Sequence, residues 1–207
     1  MDSAAARLPR TDPDERRDHI LRAARGAFLE DGFAATSMNG IANLVGGSKA
    51  TLYYYFPTKE KLFTAAFTER TRDLDRVLFD EELEKKPIRE ALTILATRAV
   101  QWALNDDSVA IFRLITAESA RFPEIGPAYY VAGPLVGKQL LAEFFGRAAQ
   151  RGQIKPGSTM TMAITFIHAC LGELQHRKLW NLGEPTGKEI DASVNNGVDV
   201  ILAAYGT

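Results

Sequence analysis

Apolar residues recur along this chain at steps of three and four almost from end to end, and no stretch sustains the apolar-polar alternation of a half-buried strand. That periodicity predicts an all-α protein. A first helix is expected near Pro13, where DPDERRD puts acids at a helix start, with Ile20, Ala24, Ala27 and Phe28 inward and Gly32 as its stop. Thr36 or Ser37 can cap a short second helix that buries Met38, Ile41, Ala42 and Val45 and ends at Gly46 and Gly47. Ser48 can cap a third, running to about Tyr55. Pro57 breaks the chain, Thr58 can cap again, and a fourth helix from near Lys59 turns Leu62, Phe63, Ala66 and Phe67 inward before continuing to about Leu83.

Beyond Pro87 the helices lengthen. Ile88, Leu92, Leu95, Ala99 and Trp102 mark one; an Asn-Asp-Asp break precedes another from Ser108 to about Phe122. Pro123, Gly126 and Pro127 break the pattern, a further helix carries Leu140, Leu141, Phe144 and Phe145, and residues 152–158 connect to two last helices, 159–182 and 188–205. The expected organisation is a tail over 1–12, a three-helix helix-turn-helix domain over 13–60, and a larger helical domain over 61–207.

Composition refines this picture without redirecting it. With 207 residues, 46% hydrophobic and 25% charged, the chain can bury a sizeable core. No apolar run approaches the roughly 18 residues of a membrane span and no signal peptide is legible, so a cytoplasmic protein without membrane contact is expected. Cys170 is the single cysteine, which excludes an intramolecular disulfide. A net charge of −1 argues against a protein that coats nucleic acid, and residues 1–61 hold nine Lys+Arg against eight Asp+Glu. Any case for DNA must therefore rest on position.

Position supplies one. Two short helices joined through a glycine turn are the arrangement in which the second lies in the major groove and shows its first turns to the bases. Here that helix reads Ser48-Lys49-Ala50-Thr51-Leu52-Tyr53-Tyr54-Tyr55. Ala50 lets the backbone approach the groove floor, Lys49 and Thr51 can donate to bases or phosphates, and Tyr53 shares the outward side one turn on. Tyr54 can reach the sugar-phosphate backbone. Lys59 can meet a phosphate at the start of the fourth helix, while Thr36, Ser37 and Asn39 can hold the other strand. Each alone has a plainer reading: serines and threonines cap, lysines are solvated, tyrosines lie half buried.

Together, residues 16–63, RRDHILRAARGAFLEDGFAATSMNGIANLVGGSKATLYYYFPTKEKLF, resemble the DNA-binding domain of TetR-family transcriptional regulators. Gly47 departs from the apolar residue usual in that turn, and Ala50 stands where glycine is frequent. The resemblance implies that Lys49, Ala50 and Tyr53 read bases and that Ser37, Thr51, Tyr54, Tyr55 and Lys59 lie near phosphates. The stretch 117–145, AESARFPEIGPAYYVAGPLVGKQLLAEFF, with Gly152-Gln153-Ile154, is similar to the AefR-like branch of this family.

One half-site gives too few contacts for a regulator, so a homodimer on a near-palindromic double-stranded operator is expected. Ile164, Ile167 and Leu171 in the penultimate helix, and Val194, Val198, Ile201 and Leu202 in the last, form stripes suited to a four-helix dimer interface; the alternative is that they close the subunit's own core. The resemblance further implies repression relieved by a small-molecule effector, in a cavity for which Trp102, Phe112, Tyr129, Tyr130, Phe166 and His168 are candidates. Two other classes remain to be weighed. An adaptor gripping protein through the tyrosine face would lack salt-dependent DNA binding. A metal-dependent helical enzyme would use Glu173 and His176, but His19, His168 and His176 are the only histidines, so no second Glu-x-x-His exists. No catalytic residue, cofactor or metal is expected.

Overall fold

In the computed structural model, the described residues are 13–69, 74, 78–80 and 82–207. They form ten α-helices and one 3-10 turn, with no strand among them. The chain divides into two compact units, residues 1–67 and 68–207.

The N-terminal unit contains α1 (Pro13–Ala35), α2 (Met38–Leu44), α3 (Lys49–Tyr55) and most of α4 (Lys59–Thr68). Gly32, at φ 79° and ψ 169°, interrupts α1 as its position suggested, but one further turn follows and swings Phe33 inward. Phe28, Phe33, Phe63 and Phe67 then meet as a ring cluster, Phe63 lying 5.0 Å from both Phe28 and Phe33 and 4.8 Å from Phe67, largely edge to face. Such pairs add ~0.5–1.5 kcal/mol each beyond the area they bury. Leu52 and Phe56 are buried in the same unit and fix α3 from behind. The expected run of α4 to Leu83 falls largely on residues outside the described set; Leu83–Lys85 is a 3-10 turn.

The C-terminal unit holds α5 (Ile88–Leu104), α6 (Asp106–Glu118), α7 (Ile125–Ala132), α8 (Pro134–Gln150), α9 (Thr159–Leu179) and α10 (Gly187–Tyr205). Two sequence expectations need correction. The Asn-Asp-Asp break is one residue long, because the Asn105 side chain accepts the Ser108 amide and leaves Asp106 and Asp107 in the first turn of α6, where acids are favourable. Gly126 and Pro127 do not break a helix but open α7, at positions whose N–H groups have no intrahelical acceptor.

The core lies among α5, α8, α9 and α10, around Leu92, Leu95, Phe145, Phe166, Val198 and Ile201. Its closure overturns part of the dimer expectation. Val194, Val198 and Ile201 are at most 1% exposed within the single chain, so they face its own α5 and α9 and are not available to a second copy. Glu84 in the 3-10 turn accepts from Arg147 of α8 and from Arg151 just past its end. Burial works against its charge, yet the two guanidinium groups prevail and hold the carboxyl below its ordinary range. Thr186 and Glu189 form a reciprocal capping box at the start of α10.

Candidate nucleic-acid interface and body cavity

The turn before α3 is set by Gly46 at φ 60°, a left-handed conformation, and by the Gly47 amide, which donates to the Ala42 carbonyl. Ser48 then caps α3: its Oγ accepts the Thr51 amide at 3.0 Å and lies 2.8 Å from the Thr51 hydroxyl. With Leu52 only 1% exposed, the opposite face carries exposed Lys49 and Ala50, Tyr53 at 40% and Tyr54 at 83% exposed. Lys49 Nζ stands 5.6 Å from the Tyr53 ring centroid and Tyr54 meets Tyr55 edge to face, so the aromatic groups hold one another in place. Tyr55 is half buried.

Not every predicted contact residue is turned outward. Thr36 is 5% exposed, and its hydroxyl points at the Ala27 and Gly32 carbonyls; it closes the end of α1 instead of facing solvent. Lys59 is likewise engaged, donating to the Ala34 carbonyl at 3.3 Å with its ammonium 4.4 Å from the Phe33 ring centroid. Its positive charge tops the C-terminus of α1, a placement the helix dipole favours. Ser37 accepts the Gly40 amide and remains exposed, as does Asn39.

In the C-terminal unit a cavity of about 290 Å³ opens among α5 to α9. Of the six candidates, Trp102, Phe112, Tyr129 and His168 line it. Tyr130 and Phe166 do not: consecutive helical residues point about 100° apart, so Tyr129 inward leaves Tyr130 outward at 42% exposed, and Phe166 is fully buried edge-on to Phe145. Ile167 and Leu171, expected at a dimer interface, also line this cavity. His168 Nδ1 lies 2.7 Å from the Ile164 carbonyl, which can only accept, so this nitrogen carries the proton.

Sequence reasoning missed Ser108, Lys138 and Gln175 in the wall. Lys138 had a signal: it interrupts the apolar stripe Pro134, Leu141, Phe145 of α8 at helical spacing. Among the described residues no group of three His, Cys, Asp or Glu is placed to share a metal ion. His176 stacks on Trp180, and burial pushes the Cys170 thiol up to about 12, far from nucleophilic. No helix among them is long and apolar enough to cross a membrane.

Two family models match the chain. That of bacterial regulatory proteins of the tetR family covers residues 20–66, and that of the AefR-like transcriptional repressor C-terminal domain covers 90–207. A solved structure titled flavonoid-responsive regulator FrrA superposes with a TM-score of 0.82 at 34% identity, over 93% of this chain and 98% of that one. The HTH-type transcriptional regulator UidR of Escherichia coli K12 is 29% identical over 76% of this chain and 78% of its own. An HTH-type regulator of Mycobacterium tuberculosis is 33% identical over 93 residues, and there the chain spans just 46% of the relative's length.

Proposed function

The chain belongs to the TetR family of transcriptional regulators, in its AefR-like branch, and from that premise we propose that it is a homodimeric repressor whose α3 enters the major groove of a near-palindromic operator. The observation that carries the reading is the exposed front of α3, Lys49, Ala50, Tyr53 and Tyr54, braced by buried Leu52 and Phe56. A rigid helix with a small residue at its centre and hydroxyl and ammonium donors beside it fits groove readout. Ser37 and Asn39, exposed at the start of α2, are the flanking phosphate contacts. Thr36 and Lys59 act behind them by fixing the end of α1.

Dimerisation in this reading uses the exposed stripe that the core leaves free, Ile164 and Thr165 on α9 with Ala192, Asn196, Val200 and Ala203 on α10. The solved relative named for flavonoids supports an effector of two or three flat rings for the cavity, whose occupation releases DNA by favouring a state with weaker operator affinity. Catalysis has no part in it.

The test is selection of bound duplexes from random fragments, followed by binding of Lys49→Ala and Tyr53→Phe. Lys49→Ala is expected to cost ~1–3 kcal/mol with relaxed preference at one base, or to shallow the salt slope by about one unit if the amine meets phosphate. Wild-type affinity and salt slope in that variant would remove α3 from the interface.

A further inference from the structure

The described wall of the C-terminal cavity is mostly apolar, with one charged group, Lys138, among the described residues that line it. Lys138 comes from the first turns of α8, on the stripe that otherwise presents Pro134 and Leu141 to the same space. Its ammonium lies 4.7 Å from the Tyr130 ring centroid and 3.5 Å from the Tyr130 hydroxyl. Neither neutralises it, and the described residues lining the cavity include no aspartate or glutamate. Lys138 lines the cavity, but its ammonium rests against exposed Tyr130, which does not, so an anion paired with it stays partly in solvent and is held chiefly by a charge-assisted hydrogen bond. Trp102, Phe112 and Tyr129 contribute ring surfaces, and a volume of about 290 Å³ suits roughly two linked rings.

Building on the ligand-responsive reading above, we infer that the effector is a small aromatic carboxylate, its rings among Trp102, Phe112 and Tyr129 and its carboxylate paired with Lys138. Lys138 is then the specificity-determining residue of the cavity. A neutral compound of the same shape keeps the ring contacts and loses the charge-assisted hydrogen bond.

The probes are biphenyl-4-carboxylate and biphenyl-4-carboxamide, titrated calorimetrically into the full chain without DNA near neutral pH. The carboxylate is expected to bind wild-type protein about tenfold tighter than the amide or better. Lys138→Met should bring the two within about twofold by weakening the acid alone, and Lys138→Arg should keep the preference. Equal affinities in wild type, a preference that survives Lys138→Met, or no saturation by either probe at about 1 mM overturns the inference. The operator complex separates this result from the broader reading. Acid binding through Lys138 that leaves operator affinity unchanged upholds the carboxylate site and sinks effector-driven release; equal binding of both probes that does release DNA has the opposite meaning.

Discussion

The two units solve the same problem, closing a helical core, with polar contacts of very different reach. In the N-terminal unit the caps are local: Ser37 to Gly40, Ser48 to Thr51 and Thr58 to Lys61, each three residues on. In the C-terminal unit ties run across the sequence, Arg113 to Asn181 at a separation of 68, Lys178 to Asp106 at 72 and Arg89 to Asp199 at 110. Local caps shape the short helices, and the exposed front proposed to enter the groove is carried by one heptapeptide. A cavity assembled from Leu74 to Leu179 depends on every helix around it.

That contrast is broken most forcefully by removing Phe63, which is fully buried and touches three other phenylalanine rings. Phe63→Ala should cost ~3–5 kcal/mol. Amide exchange should accelerate in α1 to α4 and leave α9 and α10 protected, and uniform acceleration would show that the units do not fold on separate cores. Gly197→Ala makes the reciprocal test. A Cβ there would fall 2.2 Å from Cys170 Sγ and 3.1 Å from the Cys170 amide nitrogen, where α10 crosses α9. Overpacking of ~1–3 kcal/mol outweighs the ~1 kcal/mol that alanine gains in helix propensity. Thermal unfolding should show the loss, confined by exchange to α9 and α10; a stabilised variant would mean that the helices separate freely.

The same difference in reach governs what could be read in the sequence. Helix periods, caps and glycines placed α2 and α3 to within a residue or two and the start of α1 at Pro13, while α1 runs three residues past the expected stop at Gly32. Thr36 and Lys59 deceived because their partners, Ala27, Gly32, Ala34 and Phe33, lie around the kink at Gly32, whose geometry no local pattern displays. In the C-terminal unit the apolar stripe of α10 was visible, but its direction was not. Val194 and Val198 would look the same in sequence whether they faced α9 of their own chain or of another. Tyr129 and Tyr130 differ only in rotation about α7, which packing decides.

A smaller effect isolates the capping box of α10. The Thr186 amide, then Arg177, then the Thr186 hydroxyl stabilise the Glu189 carboxylate, lowering it from an ordinary 4.5 to about 2. A depressed folded-state value means that this contribution is fully present above about pH 5 and disappears as pH falls towards 2. Wild type should therefore exceed Glu189→Gln in stability by a constant margin near neutrality, measured by urea unfolding, and the margin should shrink through that acid window. A margin independent of pH would assign the effect to packing around the cap and not to its charge.

The smallest change tests how far local conformation alone sets the N-terminal unit, at two adjacent glycines. Gly46 has φ 60°, so alanine there is strained whatever space surrounds it, and Gly46→Ala should lower stability by about 1 kcal/mol. Gly47 lies outside the left-handed region. A Cβ on it would meet the Arg16 guanidinium 2.4 Å away, the far end of a flexible side chain that can swing aside, and would rest in ordinary contact with Val45 Cγ2 at 3.6 Å. Gly47→Val should therefore restrict the unfolded chain and fill the turn, for a gain of ~0.4–1 kcal/mol. Scanning calorimetry of the two variants is expected to move the transition in opposite directions. A loss at Gly47 equal to that at Gly46 would mean that Arg16 is held where it stands, and that even this turn is shaped by a contact from thirty residues away.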